Sequence, residues 1–199
     1  EFAAICGITK EELTTTLSQD IELMAKHNGV SKEEMARLLQ ENYDGYHFTR
    51  FSPDIFNPYS LLNCFAENKF GSYWFTSGTP TYLINMMRKY QVVPTDVITR
   101  VEADASEFDA PTENMPTIMP LLYQSGYITI KEYHEDYNYY VLDVPNKEVK
   151  MGLTKALIPS YVTQNTLATT NTARRIAQAL DKQNMDWEYR KLGNRKSIR

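Results

Sequence analysis

The fold of this 199-residue chain is indicated most clearly by residues 118–144, IMPLLYQSGYITIKEYHEDYNYYVLDV. Apolar residues at helical spacing extend to Gly126, and Pro120 is compatible with a helix only in its first turn. Two runs with alternating apolar residues, 127–133 and 139–144, follow and are joined by a short polar loop. This alternation predicts a β-hairpin directly after a short helix.

Capping residues precede most of the other apolar stripes along the chain. Thr9 and Ser31 each begin a capping-box sequence, and Asn57 and Thr79 each stand directly before a proline. The stripe after Thr9 predicts one helix that ends near Gly29, a residue type favoured at helix C-termini. The apolar residues that define these helices are Leu13, Leu17, Ile21, Met24, Met35, Leu38, Leu39, Leu61, Leu62, Phe65, Ala66, Leu83, Ile84, Met86, Met87 and Tyr90.

The composition of the sequence changes over residues 93–115, where acidic residues lie between prolines. We expect this segment to be mostly irregular and to mark a sub-domain boundary. After the hairpin, Pro145-Asn146 predicts the cap of a helix that carries Val149, and a last helix is predicted over residues 173–180. Together these patterns predict a mainly α chain with one β-hairpin.

Composition and charge are those of an ordinary globular protein, with 42% hydrophobic residues, 23% charged residues and a net charge of −4. This balance excludes a chain that binds nucleic acid non-specifically over its whole surface. Residues 188–199 are an exception, since they carry five Lys/Arg against one Glu. Weak nucleic-acid binding through this basic tail stays open as an alternative.

The sequence carries no visible targeting or membrane signal. No apolar run approaches the ~18 residues of a membrane span, and no signal peptide is apparent. The two cysteines, Cys6 and Cys64, are too few for a disulfide framework and are expected to be reduced and buried. We therefore expect a cytoplasmic protein with no membrane partner. Because the chain begins with Glu1 rather than Met, we also expect that the true N-terminus lies upstream.

The common nucleotide-binding, catalytic and metal-binding motifs are missing from the sequence. It contains no P-loop, no G-x-G-x-x-G loop, no nucleophile elbow and no H-E-x-x-H zinc-binding helix. His27, His47 and His134 do not have the spacing of metal ligands. The residues alone therefore give no catalytic motif, and they leave open whether the chain is part of an enzyme.

One triplet, Glu148-Val149-Lys150, matches half of a restriction-type nuclease site, in which the acid would bind Mg²⁺ and the lysine would position water. The partner acid is not in place, because Asp143 is only five residues upstream and Asp54 is 94 residues away. The triplet also falls on a predicted helix. We therefore interpret Glu148 as a solvated residue in the first turn of that helix.

A short helix followed by a β-hairpin is the second half of a winged-helix unit, a fold that often binds DNA. Here the predicted helix has no Lys or Arg, and the hairpin has one lysine against several acidic residues. Because phosphate contacts need cations, packing or protein docking is favoured over DNA binding. One alternative function is a stand-alone interaction module that docks a protein through an exposed patch of hairpin tyrosines. These are Tyr127, Tyr133, Tyr137, Tyr139 and Tyr140.

Six sequence blocks, taken in order, resemble a known family. The blocks are ITKEEL (8–13), YDGYHF (43–48), FNPYSLL (56–62), YWFTSGTP (73–80), LLYQSGYITI (121–130) and VPNKEV (144–149). Together they resemble the bacterial AAA-ATPase-like proteins that usually carry a C-terminal PD-(D/E)XK nuclease-like domain. The resemblance covers about residues 5–150 and rests on the order of the blocks rather than on any single one.

In that family a P-loop ATPase core comes first and the nuclease-like domain last. The resemblance implies that this chain is the part between them: a helical lid bundle (1–105), a winged-helix-like unit (106–165) and a linker helix with a basic tail (166–199). Its partners would be its own missing P-loop core and nuclease-like domain, with nucleic acid reached only through the full-length protein. ATP and Mg²⁺ would serve the full-length protein, with neither bound tightly here. The chain would couple nucleotide state to the nuclease-like domain without catalysis of its own.

The resemblance also indicates candidate nucleotide-contacting residues. Ser77-Gly78-Thr79-Pro80 resembles the Gly-x-Pro turn in the lids of signalling ATPases, where the proline packs near the adenine and helix N–H groups face the nucleotide. Gly78, Thr79 and Pro80 are therefore the candidate cofactor-binding residues. The alternative interpretation is a well-capped helix start.

Tyr43, Asp44 and Tyr46 form the other signature group of the resemblance. Two interpretations stay open for them. They are either part of the functional site, or a turn at Asp44-Gly45 flanked by aromatic core residues.

Overall fold

The structure is a computed structural model, which describes residues 4–77, 81–93, 96–97, 99–161 and 175. The predicted last helix and the basic tail lie outside the described residues, apart from Arg175. Within the described ranges the chain is mainly α-helical, as predicted, with two small antiparallel sheets. None of the helices in these ranges combines the length and the apolar character needed to cross a bilayer.

The N-terminal part consists of strand β1 (Ile8–Thr9) and helices α1 (Lys10–Thr15), α2 (Ser18–Asn28) and α3 (Lys32–Tyr43). The predicted capping box at Thr9 is confirmed, because Thr9 Oγ1 accepts from Glu12 N at 3.2 Å and the Glu12 carboxylate accepts from Thr9 N at 2.8 Å. Gly29 ends α2 in the left-handed conformation, as predicted.

The prediction of one continuous first helix is wrong, because the chain leaves the helix for two residues after α1. The hydroxyls of Thr14 and Thr15 both donate to the carbonyl oxygen of Glu11, at 3.1 and 2.7 Å. Such side-chain bonds compete with the helical ladder, and β-branched residues lower helix propensity further. Leu13 and Ile21, one on each helix, are nevertheless both buried.

Strand β2 (Ile55–Phe56) pairs with β1, and helices α4 (Pro58–Glu67), α5 (Tyr73–Ser77) and α6 (Thr81–Lys89) follow. Asn57 caps α4 by accepting from Ser60 N at 3.2 Å, as predicted. The first hydrophobic cluster, here called the helical core, consists of Leu13, Ile21, Met24, Ala25, Met35, Leu39, Tyr43, Phe56, Leu61 and Cys64.

The C-terminal part contains β3 (Val101–Ala103), α7 (Ala105–Phe108), a 3₁₀ turn (Thr112–Asn114), α8 (Met119–Gln124), β4 (Thr129–His134), β5 (Tyr139–Asp143) and α9 (Lys147–Tyr161). The predicted β4–β5 hairpin is confirmed, and Pro120 lies in the first turn of α8. The second cluster, here called the sheet core, consists of Tyr46, Ile55, Leu83, Met87, Val97, Ala103, Phe108, Ile118, Leu122, Ile128, Ile130, Leu142, Val144, Val149, Leu153 and Leu157.

Strand β3 corrects the predicted single hairpin and part of the predicted irregular segment. It pairs with β5 and places Val101 opposite Leu142, so that the sheet order is β3-β5-β4, and β1–β2 form a second sheet. A three-residue strand shows too little alternation to be recognised in a sequence, and its stability comes from pairing with β5. The sub-domain boundary at residue 105 stays a prediction, and its position in the sequence is just after β3.

The two cysteines differ in exposure. Cys64 is buried in the helical core, with its Sγ 3.8 Å from Met24 Sδ, as expected. Cys6 is exposed, so the expectation that it is buried is wrong. The physical reason is its position in a turn before β1 rather than on the inner face of a helix or strand.

Candidate functional site

The sequence blocks 43–48 and 144–149 meet where α3 ends and α9 begins, and two further blocks reach this place through Ser60 and Trp74. We name this place the polar junction and define it by the side chains of Asp44, Tyr46, Lys131, Asn146 and Glu148. Asp44, Tyr46, Asn146 and Glu148 are all buried, although they are polar or ionisable. Buried polar side chains are stable only when hydrogen bonds replace water, so the bonds of the junction explain its architecture.

Asn146 ties the start of α9 to the end of α3. Its Nδ2 donates to the carbonyl oxygen of Asp44 at 2.9 Å. Its Oδ1 accepts from the backbone N–H of Val149 at 3.1 Å, which caps α9 as predicted. One side chain thus satisfies two backbone groups, and its bond to Asp44 spans 102 residues of sequence.

Lys131 reaches the same place from β4. Its Nζ donates to the carbonyl oxygens of Gly45 and Pro145, at 2.8 and 3.0 Å. Burial lowers the pKa of this lysine, while nearby carboxylates, including Asp44, oppose that shift. The ammonium group therefore bridges two backbone segments that would otherwise leave carbonyl groups unpaired.

A glycine is required at position 45, because the backbone of Pro145 comes very close to it. Its φ is +91°, in the region that favours glycine. A Cβ at this position would lie 2.3 Å from the carbonyl oxygen of Pro145. The Asp44-Gly45 pair is therefore not the turn that one interpretation held, but an irregular connection after α3 that packs closely against Pro145, just before α9.

Glu148 lies in the first turn of α9, as predicted, but the expectation that it is solvated is wrong. Only 3% of the residue is exposed. Its Oε1 accepts from the backbone N–H of Trp74 at 2.8 Å, so it supplies an acceptor to the first turn of α5. Burial raises the pKa of Glu148, and hydrogen bonds from Ser60, Trp74 and Phe75 oppose the rise. Periodicity could not reveal this burial, because α5 lies more than 70 residues away in the sequence.

The Glu148-Val149-Lys150 triplet does not form a metal centre with other described residues. Within the described ranges no three His, Cys, Asp or Glu side chains come together in a way that could hold a metal ion.

Three buried oxygen atoms of the junction lack a hydrogen-bond partner within the described part of the chain: Asp44 Oδ1, Tyr46 Oη and Glu148 Oε2. Burial raises the pKa of Asp44 to about 6 and also raises the pKa of Tyr46. The junction can thus hold a proton on the Asp44 carboxyl group at pH values below about 6. Its described side chains provide hydrogen-bonding groups and a carboxyl group that can bind a proton, but none of them is a nucleophile exposed to a substrate.

The aromatic members of the signature group belong to the core, as the second interpretation held. Tyr43 is fully buried in the helical core, where its hydroxyl donates to the carbonyl oxygen of Gly71 at 3.0 Å. Tyr46 is buried in the sheet core. Between them, the polar Asp44 is buried as well, and neither interpretation anticipated that.

The candidate nucleotide-contacting residues, Gly78, Thr79 and Pro80, lie outside the described residues. Their neighbours on both sides are described, since α5 ends at Ser77 and α6 begins at Thr81. Helix α5 is also the helix whose Trp74 backbone N–H donates a hydrogen bond to Glu148. The polar junction and the candidate turn are thus connected through one short helix.

The hairpin tyrosines do not share one exposed patch. Tyr137 is 80% exposed, whereas the other four are partly buried. Tyr127 packs edge-on against Trp74 with ring centroids 5.4 Å apart, and Tyr140 packs against Phe108 at 5.3 Å. The alternative of a stand-alone interaction module required these five rings to form one exposed patch, and they do not.

Lys131 and Trp74 are the junction contacts that the sequence did not indicate. Lys131 follows the alternating residues Ile128 and Ile130 at a position that strand periodicity assigns to the outer face. Trp74 contributes its backbone N–H, which no side-chain pattern can reveal. Only the approach of β4 and α5 to the start of α9 creates these contacts.

Comparison with known proteins gives a match to a longer protein. No family model matches the chain, and no solved structure gives a significant match. The chain is 28% identical over 163 residues to "Uncharacterized protein in vnfD 5'region" of Azotobacter chroococcum mcd 1. The aligned part covers 81% of this chain but only 29% of that relative.

Proposed function

We propose that this chain is the lid and winged-helix-like part of an AAA-ATPase-like protein. In this proposal it does not catalyse a reaction by itself. It passes the nucleotide state of a P-loop core, which this chain lacks, to a nuclease-like domain that follows. The protein would act in the cytoplasm, with ATP and Mg²⁺ bound mainly by the P-loop core.

The burial of the signature residues is the observation that carries the proposal. Residues that contact a substrate or a partner must be accessible, whereas Asp44, Asn146 and Glu148 are buried between helices. Buried hydrogen bonds that connect α3, α5 and α9 are suited to a domain that holds these helices in fixed positions relative to one another. A domain that couples a P-loop core to a nuclease-like domain needs such a rigid connection, because packed helices move as units.

The connectivity of the C-terminal part supports the winged-helix-like interpretation. Strand β3 is followed by helices α7 and α8 and then by the β4–β5 hairpin, with β5 in the centre of the sheet. Strand, two helices and a hairpin in this order are the arrangement that winged-helix units use. Helix α6 precedes β3 and contributes Leu83 and Met87 to the same core.

Charge favours protein docking over DNA binding for this unit. Helix α8 has no Lys or Arg, and the lysine of the hairpin, Lys131, is engaged by two backbone carbonyl groups. At the hairpin tip, Glu135 pairs with Arg50. With no basic surface on the helix or the hairpin, the phosphate contacts that dominate DNA affinity would be missing.

The proposal is tested first with ATP. The 199-residue chain, mixed with ATP and Mg²⁺, is expected to release no phosphate and to bind no ATP tightly in calorimetry. A longer product of the same gene that includes a P-loop core is expected to bind ATP. Phosphate release by the 199-residue chain itself would contradict the proposal.

The candidate turn is tested in that longer protein. Pro80→Ala is expected to weaken ATP binding about three- to tenfold, because each 1.4 kcal/mol of lost contact is a factor of ten in affinity. Pro53→Ala, at an exposed proline of another loop, is the matched control and is expected to leave affinity unchanged. Equal affinities for both variants would remove Pro80 from the nucleotide site.

A further inference from the structure

The three-stranded sheet β3-β5-β4 has one face that packs on the sheet core and one that does not. Ala103 and Leu142 belong to the sheet core. Because side chains alternate between the two faces of a strand, Glu102 and Val141 point to the opposite side. Val141 is accordingly not a member of the sheet core, although only 6% of it is exposed. The outer face of the sheet is therefore formed by Val141 and its neighbours on β3 and β4.

A groove of about 690 Å³ lies on this outer face. All its lining residues belong to the three strands or to residues 96–100, just before β3. Its volume falls within the range of about 300–1,000 Å³ that is usual for ligand pockets. We name it the sheet groove and define it by six of its lining residues: Arg100, Glu102, Glu132, His134, Tyr139 and Val141.

The strand register places an acidic residue on each side of the groove floor. Val141 lies opposite Glu102 of β3 on one side and opposite Glu132 of β4 on the other. Neighbouring strands lie about 4.8 Å apart, so the two glutamates stand on strands about 10 Å apart. This arrangement suits an extended peptide, because its side chains at positions i and i+2 point the same way about 7 Å apart.

The chain's own Arg100 shows that the sheet groove binds a guanidinium group. Its Nη1 donates to Glu132 Oε1 at 2.6 Å, and its Nε lies 3.7 Å from Asp143 Oδ2. Arg100 neutralises only part of the acidic lining, since Asp96 and Glu102 line the groove as well. Within the described ranges the carboxylate of Glu102 has no hydrogen bond or ion pair. The groove therefore keeps a negative charge and an available acceptor for a further cation.

We propose that the sheet groove docks an extended, arginine-bearing segment of a partner protein. One arginine of the segment pairs with Glu102, and its aliphatic stem covers Val141. The rings of His134 and Tyr139 stack with their centroids 4.5 Å apart and form a flat wall against which a guanidinium plane packs. Arginine fits such a wall better than lysine does, because its charged group is planar and weakly hydrated.

The charge of the groove decides which class of partner it takes. The carboxylates that attract an arginine-bearing segment repel the phosphates of a nucleic acid. Docking at this face needs neither ATP nor a P-loop core, so it goes beyond the proposed function above. Either proposal can therefore fail while the other holds.

The sheet groove is tested with the 199-residue chain and a short fluorescein-labelled peptide in which arginine alternates with threonine. Fluorescence anisotropy is expected to show binding that weakens as the salt concentration rises, because exposed ion pairs are screened. Glu102→Gln removes one ion pair and is expected to weaken binding about two- to fivefold. Glu102→Lys adds repulsion and is expected to weaken it about tenfold or more.

Glu22→Lys is the matched control, because it changes the net charge of the chain by the same amount at an exposed position of α2. It is expected to bind the peptide like the wild type. Equal affinities of Glu102→Lys and Glu22→Lys would overturn the proposal. A second peptide with lysine in place of arginine is expected to bind about threefold more weakly, and equal binding of the two peptides would overturn the choice of arginine.

Two other occupants of the groove are distinguished by further measurements. In sedimentation, the wild-type chain is expected to be unaffected by Glu102→Lys; a dimer that this variant abolishes would assign the face to a second copy and overturn the proposal. Changing the five Lys/Arg of residues 188–199 to glutamine is expected to leave peptide affinity unchanged. A clear rise in affinity would mean that the chain's own basic tail fills the groove, and would overturn a partner from another protein.

Discussion

The side-chain amide of Asn146 donates to the carbonyl oxygen of Asp44 at 2.9 Å, across 102 residues of sequence. The same side chain caps α9 through Val149 N. Asn146→Ala is expected to destabilise the chain by about 1–2 kcal/mol, because it removes a cap and leaves a buried carbonyl unpaired. Urea denaturation measures the change. Asn63→Ala, at a half-buried position inside α4 where no cap is lost, is the control and should shift stability by less than about 0.5 kcal/mol.

Gly45 and Gly29 provide a matched pair that tests the close contact between Gly45 and Pro145. Both have positive φ, but a Cβ on Gly29 would meet no atom within 4 Å, whereas one on Gly45 would clash with Pro145. Gly29→Ala is expected to cost about 1 kcal/mol from backbone strain alone. Gly45→Ala is expected to cost at least about 2 kcal/mol more in the same denaturation assay. Equal losses of stability in the two variants would mean that the backbone around Gly45 shifts to accommodate the methyl group at no cost in free energy.

Asp44 makes stability depend on pH in an unusual direction. Its pKa is about 6 in the folded chain and about 4 in an unfolded one, so the folded chain holds a proton that the unfolded chain releases. The stabilisation is present below about pH 4 and is lost as the pH rises towards 6. Asp44→Asn is therefore expected to be more stable than the wild type at pH 7.5, by about 1–3 kcal/mol.

The stability difference between Asp44→Asn and the wild type, measured at pH 5 and at pH 7.5, isolates the contribution of Asp44 from other titrating groups. The difference is expected to grow with pH. Asp136→Asn, on the exposed hairpin tip, is the control and should show no such growth. A constant difference for Asp44→Asn would show that its carboxyl group is already ionised in the folded chain at pH 5.

The Phe75–Gly152 contact predicts a strong coupling between two substitutions. Gly152→Ala is expected to cost about 1–3 kcal/mol, because the new methyl group displaces the Phe75 ring. Phe75→Leu in the same chain should recover part of that loss, since a smaller side chain makes room for the methyl group. A double-mutant cycle in urea measures this coupling energy, and additive effects would exclude the contact.

The two cysteines are expected to differ in reactivity. Cys6 is exposed, whereas burial raises the pKa of Cys64 to about 11. In the native chain a thiol reagent at pH 8 should modify Cys6 rapidly and Cys64 only on unfolding. Cys6→Ser should therefore remove the fast phase, and a fast phase that survives in this variant would show that Cys64 is accessible.

Much of the local structure could be predicted because its causes lie within a few residues of one another. The caps at Thr9, Ser31 and Asn57, the left-handed end of α2 at Gly29 and the β4–β5 hairpin all depend on short-range hydrogen bonds or alternation. The break after α1 was missed because the Thr14 and Thr15 hydroxyl bonds act against an apolar pattern that continues through it.

The sequence by itself determined the helical class and the hairpin, since patterning and capping are local properties of the chain. Only the tertiary structure decided that β3 joins the sheet and that Asp44 and Glu148 are buried. Burial depends on which distant segments pack together, and here Lys131, Asn146 and the α5 backbone arrive from separate parts of the chain. A carboxylate in a helical first turn looks the same in the sequence whether water or another helix covers it.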